Sequence, residues 1–164
     1  MSRLRIAMFT LVLAGIAVWA QTPKSSAPAK AAPAAAHHTM VNPKDLKWKP
    51  IVPGFETATV SGDPDKAGPY VIRLRAVTEA KVPPHWHPGD EHITVLEGWF
   101  RVAEGDTMDE KAMHEMKAGD YAMMPAKVHH YGWQSKGGVV QVHGMGPFAI
   151  NWVNPPAAPK AAKK

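Results

Sequence analysis

A chain of 164 residues, 45% of them hydrophobic, has room for one domain and material for its core; lacking cysteine, it can form no disulfide and carry no lipid on a cleavage-site cysteine. The formal net charge of +5 belongs to the ends. Seven of the 19 basic residues and none of the 14 acids fall in residues 1–36 and 160–164, so the rest carries about −2 and offers no basic face to nucleic acid.

Residues 1–20 read as a secretory signal. Arg3 and Arg5 form the basic start, and Ile6 to Val18 is an uncharged apolar run. That run is shorter than the ~20 residues a spanning helix needs, which favours cleavage after Val18-Trp19-Ala20 over an uncleaved anchor. The mature chain is then expected to start near Gln21, to be exported (periplasmic or secreted) and to keep no stable membrane span. Residues 21–39 are an Ala/Pro/Lys linker, 40–154 the folded domain, and 155–164 a basic tail of the linker's character.

Within the domain, the prolines of Met40 to Pro53 forbid a helix and predict an extended arm, with Leu46, Trp48 and Ile51 covering a sheet edge. Phe55 to Val60 and Tyr70 to Val77 are strand candidates, separated by a loop rich in Gly, Asp and Pro. Arg73 and Arg75 share a face of the second strand, a solvated one unless one of them reaches a cavity mouth. Glu91 to Glu97 alternates, with Glu91, Ile93 and Val95 opposite His92, Thr94 and Leu96, and turns at Gly98 into a strand starting at Trp99. Glu104 to Lys117 is a polar loop with at most one helical turn. Strands at Gly119 to Pro125, Val128 to Trp133, Val139 to His143 and Phe148 to Val153 follow; Gly144-Met145-Gly146-Pro147 breaks the third from the fourth. About eight short strands with frequent Gly/Pro turns predict an all-β sandwich or barrel.

His85 and His87 are two apart, so on a strand both rings face one side. Glu91 follows beyond the Pro88-Gly89 turn, which can bring its carboxylate back toward them. Two imidazoles and a carboxylate facing one point begin a divalent metal site with room for a substrate. His85, His87, Glu91 and Gly98 stand at the spacing H-x-H-x3-E-x6-G, with Glu79 where a leading glycine would complete G-x5-H. Further on, Gly119, Pro125 and His130 fit G-x5-P-x-G-x2-H-x3-N, with Lys127 in place of the second glycine and Gln134 in place of the asparagine. These two stretches resemble the paired motifs of the cupin superfamily.

The resemblance implies a single-domain double-stranded β-helix, the jelly-roll cupin barrel, with His85, His87, Glu91 and His130 as metal ligands at one open end. Its register selects His130 over the adjacent His129. The departures at residues 79, 127 and 134 touch turn and framework positions. A set of three histidines and one carboxylate is tolerated by Fe, Mn, Zn and Ni and leaves about two coordination positions for water, oxygen or substrate.

His143, sharing a strand face with Gln141, is the candidate catalytic acid or base if that face lines the cavity. Trp86, Trp99, Tyr121, Trp133, Met123 and Met124 are candidates for an apolar wall. The expected activity is that of a metal-dependent enzyme on a small organic molecule, dioxygenase-like. A lyase or isomerase, a non-catalytic metal- or ligand-binding cupin, and an interaction module are the alternatives. The family's habit implies a homodimer.

Overall fold

The computed structural model describes residues 38–155. The expected signal at 1–20, nearly all of the linker at 21–39 and nearly all of the tail at 155–164 lie outside them. The described chain is built of strands: β1 (Lys49–Val52), β2 (Phe55–Ser61), β3 (Gly68–Ala76), β4 (Ala80–Trp86), β5 (Glu91–Glu97), β6 (Trp99–Glu104), β7 (His114–Lys117), β8 (Tyr121–Met124), β9 (His130–Gln134), β10 (Val139–Gly146) and β11 (Asn151–Trp152). Two single-turn 3-10 segments, Pro43–Asp45 and Glu110–Ala112, complete it. No helix among the described residues is long and apolar enough to cross a membrane.

The strands form two antiparallel sheets, ordered β1-β2-β3-β10-β5-β8 and β11-β4-β9-β6-β7. This is the expected jelly roll. Period-2 alternation decides what faces inward. In β5 Glu91, Ile93 and Val95 are buried in alternation, and β10 buries Val140 and Val142. Ile72, Ile93, Val95, Val140 and Val142 are each at most 3% exposed and pack with Phe100 and Val102 of the other sheet. Burial of each such side chain contributes ~1.5–3 kcal/mol.

Several boundaries differ from the sequence reading. The arm does cover an edge: β1 pairs with β2, and Leu46 is buried. β10 runs on through Gly144 and Met145, because the start of β3 supplies partners there, Gly144 opposite Tyr70 and Met145 opposite Pro69. The polar stretch before Gly119 contains β7, paired with β6. The final strand shrinks to Asn151–Trp152, which pairs with the end of β4; Pro147 to Ile150 before it is a strap without ladder pairing. Arg75 stays on the outer face, its Nε donating to Glu56 at 3.1 Å and its guanidinium lying 4.3 Å from the Trp48 ring centroid.

Two details position the site. In β4 the ladder to β9 shifts register between Val82 and His85. Pro83 and Pro84 sit there, and with no N–H to donate they leave the ladder. Pairing resumes with His85 opposite His130. Between β5 and β6, Gly98 adopts φ +73°, and a Cβ there would lie 2.3 Å from the Ser135 hydroxyl oxygen. Only glycine fits so tight a corner at that φ.

Candidate metal centre

β4 presents His85, and His87 stands one residue past its end; β9 opens with His130 and β5 with Glu91. The turn at Pro88 to Asp90 carries the chain from one sheet to the other, so the carboxylate approaches the histidines from the facing layer. Two hydrogen bonds tie this turn to the second motif: Ala126 N–H donates to Asp90 Oδ1 at 2.8 Å, and Lys127 N–H donates to the His87 carbonyl at 2.9 Å. Lys127 stands where the motif has glycine and keeps glycine's conformation, φ 65°.

Each ring is oriented by a backbone carbonyl. Nδ1 of His85 lies 2.8 Å from the Pro83 carbonyl oxygen, Nδ1 of His87 2.7 Å from that of Ala149, and Nδ1 of His130 3.0 Å from that of Val128. A carbonyl only accepts, so each Nδ1 carries the proton and each Nε2 turns a lone pair inward. One ring nitrogen from each histidine lies within 4.8 Å of the others. Nε2 of His87 and of His130 are buried without a hydrogen-bond partner. Glu91 Oε2 lies 3.5 Å from the first and 3.3 Å from the second.

All four side chains are buried, each at most 6% exposed. Burial opposes charge on Glu91, but His130 and His87 outweigh it and hold the carboxyl well below the usual range. Burial also opposes charge on His87, and Glu91 more than offsets it, so that ring's pKa is raised. His85, buried and beside His130, is pushed down to about 4. Positive charge is thus favoured between the carboxylate and the inward nitrogens. Among the described residues, the cavity lining contains no lysine or arginine to supply it. The three imidazole nitrogens of His85, His87 and His130 fit a divalent metal ion in this geometry, and the Glu91 carboxylate stands beside two of them.

Beside this cluster is a cavity of about 50 Å³, walled by aliphatic side chains and by Phe55, Phe100 and Phe148. Of the six tryptophan, tyrosine and methionine candidates for its wall, none lines it. Trp99 and Trp133 meet edge to face, with Arg101 over both rings and Lys81 over Trp133. Tyr121 and Met123 are exposed on β8, and Met124 joins the core. A wider cleft of about 450 Å³, with Lys49, Asp65 and Thr57 in its lining, adjoins the cavity and shares Ile51, Val52, Phe148 and Ile150 with it.

His143 lies on a face that does not line this cavity. β10 pairs it with His92 of β5, and the two rings stack at 4.7 Å on the face opposite Val142. His92 Nδ1 meets the Tyr121 hydroxyl at 2.6 Å. Both histidines are outside the cavity lining, and burial and its neighbour His92 lower the pKa of His143. Sequence reasoning missed the orienting carbonyls, Phe148, which stacks on His87 at 4.8 Å, and Gln134, which lines the cavity. Gln134 was legible in principle, four residues after His130 and so on the same strand face.

Residues 36–149 match the family model of the ChrR cupin-like domain. The chain belongs to this family. The ChrR cupin-like fold is shared with solved structures of low identity. The polyketide cyclase RemF from Streptomyces resistomycificus aligns with TM-score 0.60 and 18% identity, over 74% of this chain and 89% of that one. KdgF from Halomonas sp. aligns with TM-score 0.54 and 18% identity, over 66% and 94%. A mutant oxalate decarboxylase OxdC of Bacillus subtilis aligns with TM-score 0.52 and 20% identity, over 71% of this chain and 33% of that one. At such identities these likenesses establish the fold alone. No curated protein matches the chain.

Proposed function

We propose that this ChrR cupin-like domain holds one divalent transition metal ion through His85, His87, His130 and Glu91 and acts as a metal-dependent, dioxygenase-like oxidoreductase on a small organic molecule in the adjoining cavity. The observation that carries the reading is the convergence of three carbonyl-oriented histidines on one point of a mostly apolar cavity. When bound, the ion supplies Lewis acidity and open coordination positions. The chain's own residues prepare the place. The carbonyls of Pro83, Ala149 and Val128 keep each Nδ1 protonated and each Nε2 free to coordinate. Glu91 contributes the negative charge. Val82, Leu74, Val140 and Val142 exclude water and favour an apolar substrate body.

The lining also ranks the alternatives. Its only titratable side chains, among the described residues, are the three histidines and Glu91. With all four used as ligands, no titratable side chain of the lining remains to move a proton, so a lyase or isomerase would depend on water held at the metal for that step. The same observation favours, as second reading, a domain that binds metal and ligand without catalysis.

Elemental analysis of the purified mature protein and of His130→Ala is the test. Near one metal ion per wild-type chain, largely lost in the variant, supports the site; no metal after reconstitution overturns it. Iron directs the next assay to oxygen uptake with candidate substrates. Oxygen consumption supports the enzyme, and ligand binding without turnover supports the second reading.

Two accompanying proposals rest on other grounds. Export rests on the basic and apolar stretch before Gln21, and amino-terminal sequencing of the mature protein tests it. Homodimerisation rests on the family resemblance and the open sheet edges at β1 and β8; sedimentation analysis tests it.

A further inference from the structure

β9 turns His130, Gly132 and Gln134 toward the cavity and Tyr131 and Trp133 away from it. Gln134 is therefore on the metal-side face but four residues along, roughly 13 Å of strand from His130 at ~3.3 Å per residue. It is only 1% exposed, and its Nε2 has no hydrogen-bond partner. Between the two, the Phe100 ring lies over Gly132, so close that a Cβ there would be 2.8 Å from the ring. Among the described residues, no polar or charged side chain other than Gln134, His85, His87, Glu91 and His130 lines the cavity.

A primary amide that is fully buried normally finds partners for its donors, because an unmade bond there costs the full desolvation of the group. A trapped water is a poor substitute, since it needs two to four polar partners of its own. The amide therefore waits for an acceptor delivered from within the cavity. A second carboxylate is a poor acceptor here, since the lining offers no lysine or arginine to balance its charge. A neutral carbonyl matches a lone amide donor among apolar walls.

Building on the metal-site reading, we infer that Gln134 is a specificity-determining residue for the distal end of the ligand. The site takes a small linear molecule with a metal-binding head such as a carboxylate toward the histidines, an apolar spacer of two or three carbons, and a ketone, ester or amide carbonyl that accepts from Gln134 Nε2; the cavity of about 50 Å³ has to widen to admit it, and the Phe100 ring over Gly132 is the side chain that stands in the way. This divides the cavity between two recognitions. The histidine end fixes the head, and Gln134 rejects molecules that lack the distal acceptor.

The test uses the full mature chain loaded with Mn²⁺ and two matched pairs of probes, pentanoate with 4-oxopentanoate and hexanoate with 5-oxohexanoate, titrated by calorimetry. Members of a pair share charge and length and differ in one carbonyl. The wild type is expected to prefer the oxo acid of at least one pair by about five-fold, the worth of one net hydrogen bond. Gln134→Met, unbranched and similar in volume, should abolish the preference without weakening the plain acid or changing metal content. Gln134→Leu serves if the Met variant fails to fold.

A preference that survives in the variant overturns the proposal, as does equal binding of both members of each pair to the wild type. Melting of the metal-free proteins separates this outcome from failure of the metal site. If the wild type takes up no metal, a higher unfolding temperature for Gln134→Met still supports a donor held unpaired, and a lower one overturns it by showing that the amide is structural.

Discussion

Replacing Lys127 by glycine should stabilise the domain, although lysine is the residue this chain carries there. Its φ of 65° is the left-handed conformation, which costs an L-residue roughly 1–2 kcal/mol. Glycine removes that cost but adds about 0.5–1 kcal/mol of unfolded-state entropy. The net expectation is a gain of about 0.5–1 kcal/mol. For a domain of this size that is a rise of about 3 °C in unfolding temperature. The backbone N–H that donates to the His87 carbonyl is kept, so metal content should not change. Thermal unfolding of the metal-free wild type, Lys127→Gly and Lys127→Ala measures the effect. Alanine retains a Cβ and should leave the midpoint almost unmoved. If alanine stabilises as much as glycine, the long side chain and not φ was the burden; if glycine destabilises, the strain argument at this corner is wrong.

A metal ion present at a thousand times its dissociation constant should add about 4 kcal/mol to the stability of the wild type and nothing comparable to His130→Ala; calorimetry with and without a chelator reads both. In the metal-free protein, His85 has its pKa lowered to about 4 by burial and by His130, while the unfolded chain protonates near 6.5. The folded state therefore binds fewer protons between these values, and its stability, complete above 6.5, falls as pH drops toward 4 by up to about 3 kcal/mol. The raised pKa of His87 works the other way, contributing stability below 6.5 that is lost as pH rises through its folded value, so it offsets part of the fall. Denaturant unfolding at pH 7 and 4.5 should show a smaller drop in His85→Gln than in the wild type; equal drops would refute the assignment. Gly132→Ala should drive the Phe100 ring off its seat, costing about 1–3 kcal/mol by overpacking, and Phe100→Leu in the same chain should recover most of it. Unfolding of the two single variants and the double variant checks this.

The site was readable because its signals are local. The one-residue gap between His85 and His87, the turn before Glu91 and the spacing to Gly98 and His130 all act through period-2 alternation and turn geometry, which neighbouring residues dictate. His143 was readable by the same rule: Val140 and Val142 are the apolar, buried positions of β10, so parity turns Gln141 and His143 to the other face, where His143 stacks on His92. The mistaken aromatic wall is the same case. Trp86 falls between two inward histidines, and Trp133 between Gly132 and Gln134, so parity alone turns both outward. The strands that the sequence did not mark, β1 and β7, span four residues each, and the last strand shrank to two; each forms at a sheet edge where a partner was available, not because its sequence demands it. Gln134 looked like a framework substitution because a sequence shows a residue type but not an unmade hydrogen bond.

The strap before β11 has a kinetic consequence. The Ala149 carbonyl that sets the His87 tautomer and the Phe148 ring stacked on that imidazole belong to one short segment, and Phe148 and Ile150 also form part of the partition between the inner cavity and the outer cleft. A molecule that passes between cleft and cavity at Phe148 and Ile150 displaces the segment that aims a metal-site ring. Passage on that side and ring support are then one mechanical event. We expect Phe148→Ala to accelerate ligand exchange and metal loss together in stopped-flow chelator competition; acceleration of one without the other would show that the gate and the ring support are separable.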